Sequence, residues 1–318
     1  MRLLALALVW PALALIWPAL ALGAVDSKDA VFLSEGYRMF GTLSLPAGAA
    51  PRAAVLIVPG SGPIERDGTS KAAPQVPPVY KMWMERLGDA GIAGLRYDKR
   101  YLTYTDIDPV TLDQEAQIAD ARAALRYLRA QVPGKPVFVI GHSEGGMIAP
   151  LVAEREGTTA GVIVINAALF PIDELVIQQV KAGGAPQDYV DGLTKVFAQI
   201  RDGSFPPKGQ LLGAGQNYWK QWIKYSSESP RTLSRQKVPV LLVQCMDDET
   251  LPGPTLERNV KALRSVQKAQ LRLLKDHDHL GMVVGSPEPS PEFMRTLLNW
   301  ISTASRAPAA PSPSKKQD

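Results

Sequence analysis

The amino-acid sequence predicts an α/β fold, in which a mainly parallel, twisted sheet is flanked by helices and interrupted by an inserted helical cap. Short apolar runs that suit buried strands alternate along the chain with segments of helical periodicity, as in parallel sheets covered by helices. The alternation stops at residues 170–235, which show a pattern of helices and loops, and then resumes. An insertion between two parts of one sheet predicts a cap rather than a second independent domain.

Each predicted element depends on its own pattern of apolar residues. Strands are expected where apolar runs lie between turn residues, at 37–45, 53–58, 92–96, 136–140, 161–165, 238–243 and 271–274. Helices are expected where apolar residues recur every three or four positions, at 80–90, 112–132, 145–155 and 291–302. The first strand alternates and should pair antiparallel, whereas 53–58 and 136–140 are apolar throughout and should be buried on both faces.

Both ends of the chain differ in composition from residues 25–304, which we assign to the α/β domain. Residues 1–24 begin with a basic residue, continue without charge and end in small residues, which is typical of a cleaved secretory signal peptide. An uncleaved membrane anchor is the alternative. We expect export to the periplasm or the medium, with no stable membrane association after cleavage. Residues 305–318 are rich in proline, serine and alanine and are predicted to be disordered.

Charge and cysteine content exclude several classes of protein. The formal net charge is +4, but Arg2 and the tail at 306–318 supply three of these charges, and no basic run is interleaved with aromatic residues. A nucleic-acid partner is therefore not expected. Cys245 is the only cysteine, which excludes an intramolecular disulfide and a lipid anchor beside the signal peptide. We expect Cys245 to be a small buried residue at the end of a strand.

One short motif carries the main chemical signal. The sequence Gly141-His142-Ser143-Glu144-Gly145 fits the pattern G-x-S-x-G. It follows a predicted buried strand and opens a predicted helix, which is the context in which this motif holds a nucleophilic serine on a strained turn. Ser143 is therefore the candidate nucleophile, and the flanking glycines allow the backbones to approach closely.

A serine hydroxyl needs a base that accepts its proton, and the chain has three histidines. His142 lies inside the motif and points the wrong way for its neighbour. His277 and His279 follow the last predicted strand, where the base is expected. We favour His279 because it lies in an Asp-His-Leu sequence before the final helix, and we expect His277 to face solvent.

The acid that orients the histidine should lie between the serine and the histidine in the chain. Three acidic residues, 247–249, follow the predicted strand at 238–243. Asp248 lies far enough beyond the strand to reach back towards the histidine, and it is the favoured acid. Asp247 remains the alternative, although we expect it to face solvent.

Acyl transfer also needs N–H donors that stabilise the developing oxyanion. The backbone N–H of Glu144, the residue after the candidate nucleophile, is one expected donor. The second is expected in the Gly/Pro cluster at 59–63, directly after the strand at 53–58, where glycines let the backbone approach the substrate. We assign this second donor to the N–H of Ser61.

Residues 59–68, 96–100, 141–146 and 244–248 carry motifs that resemble one branch of the α/β-hydrolase superfamily. This branch contains bacterial carboxylesterases related to dienelactone hydrolases and serine aminopeptidases. The resemblance runs from about residue 31 to 301 and implies an α/β-hydrolase fold with a cap. In this branch the strand before the acid ends in Gln-Gly-x-x-Asp, which also implies Asp248 as the acid.

Two residues depart from the motifs of this branch. Cys245 replaces the usual glycine, a change that is expected to shift the acid loop slightly. Tyr101 replaces the usual glycine after Arg100, so the loop above the site is expected to differ. Asp98 and Arg100 do not lie where the triad needs a charge, and we expect them to tie this loop to the strand before the oxyanion loop.

Together these residues predict a serine hydrolase that cleaves small-molecule carboxylic esters, without a metal or other cofactor. A serine aminopeptidase is the alternative, because an acidic residue of the cap could hold a substrate ammonium group. The candidates for that role are Asp173, Glu174, Asp188 and Asp191. A non-catalytic binding module is a third possibility, but it would lack a member of the triad, whereas all three candidates are present.

Overall fold

The structure, a computed structural model, describes residues 25–306. The predicted signal peptide and the tail beyond residue 306 lie outside the described residues. The strands are β1 (Val25–Ser34), β2 (Tyr37–Pro46), β3 (Ala53–Val58), β4 (Ile92–Tyr97), β5 (Val137–His142), β6 (Gly161–Ile165), β7 (Val240–Cys245) and β8 (Gln270–Leu274). The α-helices are α1 (Val79–Asp89), α2 (Arg100–Thr103), α3 (Gln114–Gln131), α4 (Glu144–Glu156), α5 (Ile172–Ala182), α6 (Gln187–Asp202), α7 (Gln216–Ser234), α8 (Pro254–Ser265) and α9 (Pro291–Ala304).

All of these strands join one sheet, in the order β1-β2-β4-β3-β5-β6-β7-β8. The strand pairs β1–β2 and β2–β4 are antiparallel, and every later pair is parallel. The predicted mainly parallel sheet is thus confirmed. Its central strands are buried along their whole length, as their continuous apolar sequences require.

Helices cover both faces of the sheet, because successive side chains of a buried strand point to opposite sides. In β3, Leu56 and Val58 belong to the core formed with α3 and α4, whereas Val55 and Ile57 belong to the core formed with α1 and α9. The active-site loops that follow β3, β5 and β7 therefore emerge from a sheet held rigidly between two apolar layers.

The inserted cap consists of α5, α6 and α7, which lie between β6 and β7 and pack against one another. Helix α7 also packs on α3 and α4, so the cap rests directly on the helix that follows the candidate nucleophile. Within the cap, three aromatic side chains join α6 to α7: Trp219 stacks on Trp222 at 5.4 Å between ring centroids, and Phe197 of α6 packs edge-on against Trp219 at 5.3 Å. None of the described helices is long and apolar enough to cross a membrane.

Three elements differ from the sequence-based expectation: the strand β1 and the helices α2 and α8. Strand β1 is half exposed and pairs along one edge only; residues 26–29 are polar, and the short apolar run at 30–33 includes the exposed Val31 and Leu33. Helix α8 is also unpredicted; it is amphipathic and short, with only four buried residues.

The connection between β5 and α4 leaves no room for side chains at two glycines. A Cβ atom at Gly141 would collide with the backbone carbonyl of Gly145, and a Cβ atom at Gly145 would collide with the carbonyl of Val58. The first turn of α4 therefore lies directly against the end of β3. This contact brings the loop after β3 next to the candidate nucleophile.

We expect Gly141→Ala to lower the free energy of unfolding by about 1–3 kcal/mol or more, because the new methyl group meets fixed backbone atoms. Urea denaturation of the purified protein measures this change. Gly192→Ala is the matched control: Gly192 is exposed within α6 and a Cβ atom there meets nothing within 4 Å. That variant should be unchanged or more stable by about 0.5–1 kcal/mol. A Gly141→Ala protein as stable as wild type would contradict the steric argument.

Candidate active site

Ser143 occupies the strained turn that the G-x-S-x-G motif predicts. Its backbone has φ +54° and ψ −120°, a left-handed region that a residue with a side chain rarely adopts. The turn is held because the Ser143 N–H donates to the carbonyl of Ile165 at 2.9 Å, at the end of the neighbouring strand. The Ser143 side chain lines a large cavity between the sheet and the cap.

His279 and Asp248 are paired at the wall of the same cavity. His279 Nδ1 lies 3.0 Å from each carboxylate oxygen of Asp248, and the Asp248 side chain is fully buried. Thr250 donates to Asp248 Oδ1 from its backbone N–H at 3.0 Å and from its hydroxyl at 2.6 Å. Burial alone would raise the pKa of Asp248, but His279 and the Thr250 donors outweigh it and lower that pKa. Asp248 is thus an ionised acceptor for the imidazole.

The alternative residues lie elsewhere. Asp247 is exposed and contacts this region only through its backbone N–H, which donates to the carbonyl of His277. The expectation that His277 faces solvent is wrong: His277 is 3% exposed and its ring contacts the Ser290 hydroxyl and the Lys275 carbonyl. Ser290 also caps α9, so His277 anchors the start of the last helix.

Both expected oxyanion donors border the nucleophile. Ser61 and Glu144 line the cavity together with Ser143. The loop that carries Ser61 lies close to the serine, since a Cβ atom placed on Gly60 would be 3.2 Å from the Ser143 Cβ. The N–H of Glu144 is the first of α4, where the free N–H groups of the helix favour negative charge.

The side chain of Glu144 forms a buried charged cluster that the sequence analysis missed. Its Oε2 accepts from Lys99 Nζ at 2.9 Å, and its Oε1 accepts from Gln114 at 2.7 Å and from the Tyr218 hydroxyl at 2.6 Å. Burial alone would raise the pKa of Glu144, but Lys99 and the other donors lower it. The pKa of Lys99 is raised because Glu144 outweighs the effect of burial. The pair is therefore ionised.

Asp98 and Arg100 are structural, as expected, but they tie different segments. Asp98 accepts from the backbone N–H and from Nε of Arg66, both at 2.8 Å, and so holds the loop after β3. Arg100 does not join the oxyanion strand. It binds Asp120 of α3 at 2.9 Å and Glu35 of the β1–β2 turn at 2.9 Å.

Cys245 is fully buried, and burial raises the pKa of its thiol to about 12. It is therefore the inert buried residue that the sequence predicts. The loop after it still delivers Asp248 to His279, so the exchange of glycine for cysteine leaves the acid in reach. Tyr101, the second departure, donates from its hydroxyl to the carbonyl of Gly62 and so supports the loop that carries Ser61.

The cavity has a volume of about 1050 Å³, enough for a ligand larger than a simple short-chain ester. The cap contributes its apolar wall, with Ile172, Leu175, Val176, Val180, Trp219 and Trp222. The charged side chains of the opposite wall are mostly paired with each other, Lys99 with Glu144 and Arg100 with Asp120. Among residues 25–306, no group of three His, Cys, Asp or Glu side chains is arranged to hold a metal ion.

The four acidic residues that could serve an aminopeptidase do not line this cavity. Asp173 is buried and paired with Arg201 at 2.7 Å, and Glu174 is paired with Arg258. Asp188 and Asp191 are exposed on α6. The exposed Glu249, which directly follows Asp248, does line the cavity.

Comparison with known proteins gives one curated relative and many solved structures. The relative is Esterase EstD from Thermotoga maritima, which is 29% identical over 262 residues, or 80% of this chain. The aligned region spans 61% of the length of EstD. A carboxyl esterase from Bacillus coagulans has a similar structure, with a TM-score of 0.58, 16% identity and coverage of 89% of this chain and 100% of the other.

A dienelactone hydrolase from Anabaena variabilis has a TM-score of 0.53 and 18% identity, with coverage of 88% of this chain and 98% of the other. At these identities the two solved structures show a common fold. Residues 55–293, from the central strand β3 into helix α9, match the Alpha/beta hydrolase family. The sheet order, the strained serine turn and this match together place the chain in the α/β hydrolase family, as the resemblance of its motifs implied.

Proposed function

We propose that this protein is a serine hydrolase that cleaves carboxylic esters with Ser143, His279 and Asp248 as its triad. The observation that carries the proposal is the pair of 3.0 Å contacts from His279 Nδ1 to the buried Asp248, beside the cavity that Ser143 also lines. The curated relative named an esterase supports the reaction class. The family membership supports the roles of the three residues.

In the proposed reaction, Ser143 Oγ attacks the ester carbonyl carbon while His279 Nε2 accepts the serine proton. Nε2 is the nitrogen with a free lone pair because Nδ1–H donates to Asp248. The ionised Asp248 keeps the ring in this tautomer and stabilises the imidazolium that forms. The carbonyl oxygen becomes an oxyanion that the N–H groups of Ser61 and Glu144 stabilise.

The tetrahedral intermediate then breaks its bond to the alcohol oxygen. His279 returns the proton to that oxygen, the alcohol leaves, and the acyl group remains on Ser143 as an ester. A water molecule repeats the sequence: His279 takes one of its protons, the hydroxyl oxygen attacks the acyl carbon, and the carboxylic acid leaves as Ser143 recovers its proton.

The charges around the cavity favour a neutral substrate. Lys99 and Arg100 are the cationic side chains of the described cavity wall, and each is neutralised by a paired carboxylate. An anionic substrate would lose its hydration without gaining a free cation, which is unfavourable in a partly buried site. We therefore infer a neutral ester whose acyl group contacts the apolar wall of the cap.

A serine aminopeptidase is the second candidate function, because the acidic residue Glu249 lines the cavity. Glu249 is exposed at the cavity, and within residues 25–306 no side chain donates a hydrogen bond to its carboxylate. It could hold a substrate ammonium group, although its exposure to solvent weakens such a pair. The ester reaction is favoured because the cap carboxylates Asp173 and Glu174 are occupied by arginines.

We also propose that the protein is exported and that residues 1–24 are removed on export, on the basis of the sequence pattern alone. Small-molecule esters outside the cytoplasm are then its substrates. The N-terminal residue of protein recovered from the periplasm or the medium identifies the cleavage site. The residue before that site is expected to be Ala24 or, as the alternative, Ala21.

We expect Ser143→Ala to lower kcat/KM for p-nitrophenyl butyrate by about 10³-fold or more, because no other hydroxyl occupies the turn. Initial-rate kinetics measure the loss, and a urea denaturation curve checks the fold. Ser265→Ala is the control, since Ser265 is exposed at the end of α8 and should leave the rate unchanged. Wild-type rates in a folded Ser143→Ala protein would overturn the mechanism.

We expect p-nitrophenyl butyrate to be hydrolysed with a kcat/KM at least about 10-fold above that of p-nitrophenyl hemisuccinate, because burial of an unpaired carboxylate is costly. The two esters share an acyl chain of four carbons and differ in the terminal charge. Leucine p-nitroanilide, measured in the same series, should be a poor substrate. Preference for the leucine compound would instead favour the aminopeptidase, and equal rates for both esters would contradict the charge argument.

A further inference from the structure

Tyr80 and His142 connect the two loops that carry the oxyanion donor and the base. The Tyr80 hydroxyl, on α1, lies 2.9 Å from the Gly60 nitrogen and 2.9 Å from His142 Nδ1. His142 Nε2 lies 2.9 Å from the backbone oxygen of His279. Both side chains are buried, at 3% exposure each. A continuous chain of three hydrogen bonds thus runs from the neighbour of Ser61 to the base itself.

The direction of each of these hydrogen bonds is fixed by chemistry. The His279 carbonyl can only accept, so His142 Nε2 carries the proton and donates. A neutral imidazole has one N–H, so His142 Nδ1 must accept from the Tyr80 hydroxyl. The Tyr80 oxygen then accepts from the Gly60 N–H. In this single arrangement, every polar atom in the series of hydrogen bonds from Gly60 to His279 has a partner.

The ionisation behaviour of the two side chains agrees with that arrangement. Burial, assisted by the nearby His279, lowers the pKa of His142 to about 3, so the ring is neutral at ordinary pH. Burial raises the pKa of Tyr80 to about 12, so its hydroxyl keeps the proton that it donates. His142 is therefore unsuited to act as the base, although it is a direct neighbour of Ser143.

The backbone oxygen of His279, where this series of hydrogen bonds ends, accepts from a second donor. Asn166, which follows β6, donates from Nδ2 to the same His279 oxygen at 2.8 Å. Its Oδ1 accepts from the backbone N–H of Cys245 at 2.7 Å. The main chain of His279 is thus bonded to residues at the ends of β5 and β6, and Asn166 links it in turn to the end of β7. A histidine held in this way keeps its ring at a constant distance from the serine turn.

The rings pack tightly enough to stay in place without the hydroxyl. Trp83 lies 5.4 Å from the Tyr80 ring and 5.6 Å from the His142 ring, in edge-to-face contacts, and Tyr80 lies 5.7 Å from His142. Removal of the Tyr80 hydroxyl therefore removes two hydrogen bonds and leaves the apolar contacts of the ring.

We infer that Tyr80 and His142 are positioning residues, which act as one strut between the loop of Ser61 and the loop of His279. Without the strut, the Gly60 N–H and His142 Nδ1 lose their buried partners, and both loops gain freedom. Because a misplaced donor or base affects the transition state more than the bound ester, the loss falls on kcat. This inference rests on the proposed function, since it assigns a role in the triad reaction.

The test compares Tyr80→Phe with Tyr127→Phe in p-nitrophenyl butyrate hydrolysis. We expect Tyr80→Phe to lower kcat by about 10-fold with KM changed less than about twofold. Its affinity for a trifluoromethyl ketone, which forms a tetrahedral oxyanion on the serine, should fall in proportion. Tyr127 of α3 packs against Phe32 outside the cavity, so its variant should keep wild-type kcat.

A second pair of variants covers the case in which Tyr80→Phe fails to fold. A glutamine at position 142 offers one acceptor and one donor with a spacing close to that of the two imidazole nitrogens, whereas a leucine offers neither. We expect His142→Gln to keep a several-fold higher kcat than His142→Leu. Such a rescue separates a role of the hydrogen bonds from a role of side-chain volume.

Several results would contradict the positioning role of Tyr80 and His142. They are a wild-type kcat in folded Tyr80→Phe, an equal loss in Tyr127→Phe, a rise in KM alone, or equal kcat values for the glutamine and leucine variants. These outcomes leave the proposed function intact, because wild type would still hydrolyse the ester in a manner that depends on Ser143. Absence of that hydrolysis in wild type would overturn the proposed function and the strut together.

Discussion

The turn at Ser143 imposes the constraint on which the site depends. A side-chain-bearing residue at φ +54° is strained, and the strain is held by close backbone contacts at Gly141 and Gly145. The contact of Gly145 with the end of β3 also places the start of the loop that carries Ser61. The strained serine, its first-turn N–H groups and the loop of Ser61 are therefore consequences of one steric arrangement. Two apolar layers on the sheet keep it rigid.

A buried charge couples this turn to the rest of the chain. Glu144 loses its hydration completely, a large cost that only close partners can offset. Its partners come from three separate segments: Lys99 follows β4, Gln114 begins α3, and Tyr218 lies on the cap helix α7. The cap is therefore seated on the residue whose N–H faces the proposed oxyanion. The Tyr218 hydroxyl thus links helix α7 directly to the residue that follows Ser143.

The sequence predicts the parts of the fold and of the site that depend on local patterns. The buried parallel strands, the G-x-S-x-G turn and the placement of Asp248 beside His279 follow from apolar runs, glycine spacing and distance from a strand. The edge strand β1 is not predicted because its first half is polar and its apolar run covers only residues 30–33. The sequence does not predict the burial of His277 or the hydrogen bond from Tyr80 to His142. The partner of His277, Ser290, is 13 residues away in the chain, and His142 is 62 residues away from Tyr80. Such contacts leave no spacing signal.

Covalent labelling tests the proposal that Ser143 is the activated nucleophile of this site. A fluorophosphonate reacts with a serine only where a base and an oxyanion site activate it. After incubation of the wild-type protein, proteolysis and mass spectrometry locate the modified residue. We expect stoichiometric labelling on Ser143, which is lost when the protein is first unfolded. Labelling at another serine, or no labelling of a folded protein that hydrolyses esters, would contradict it.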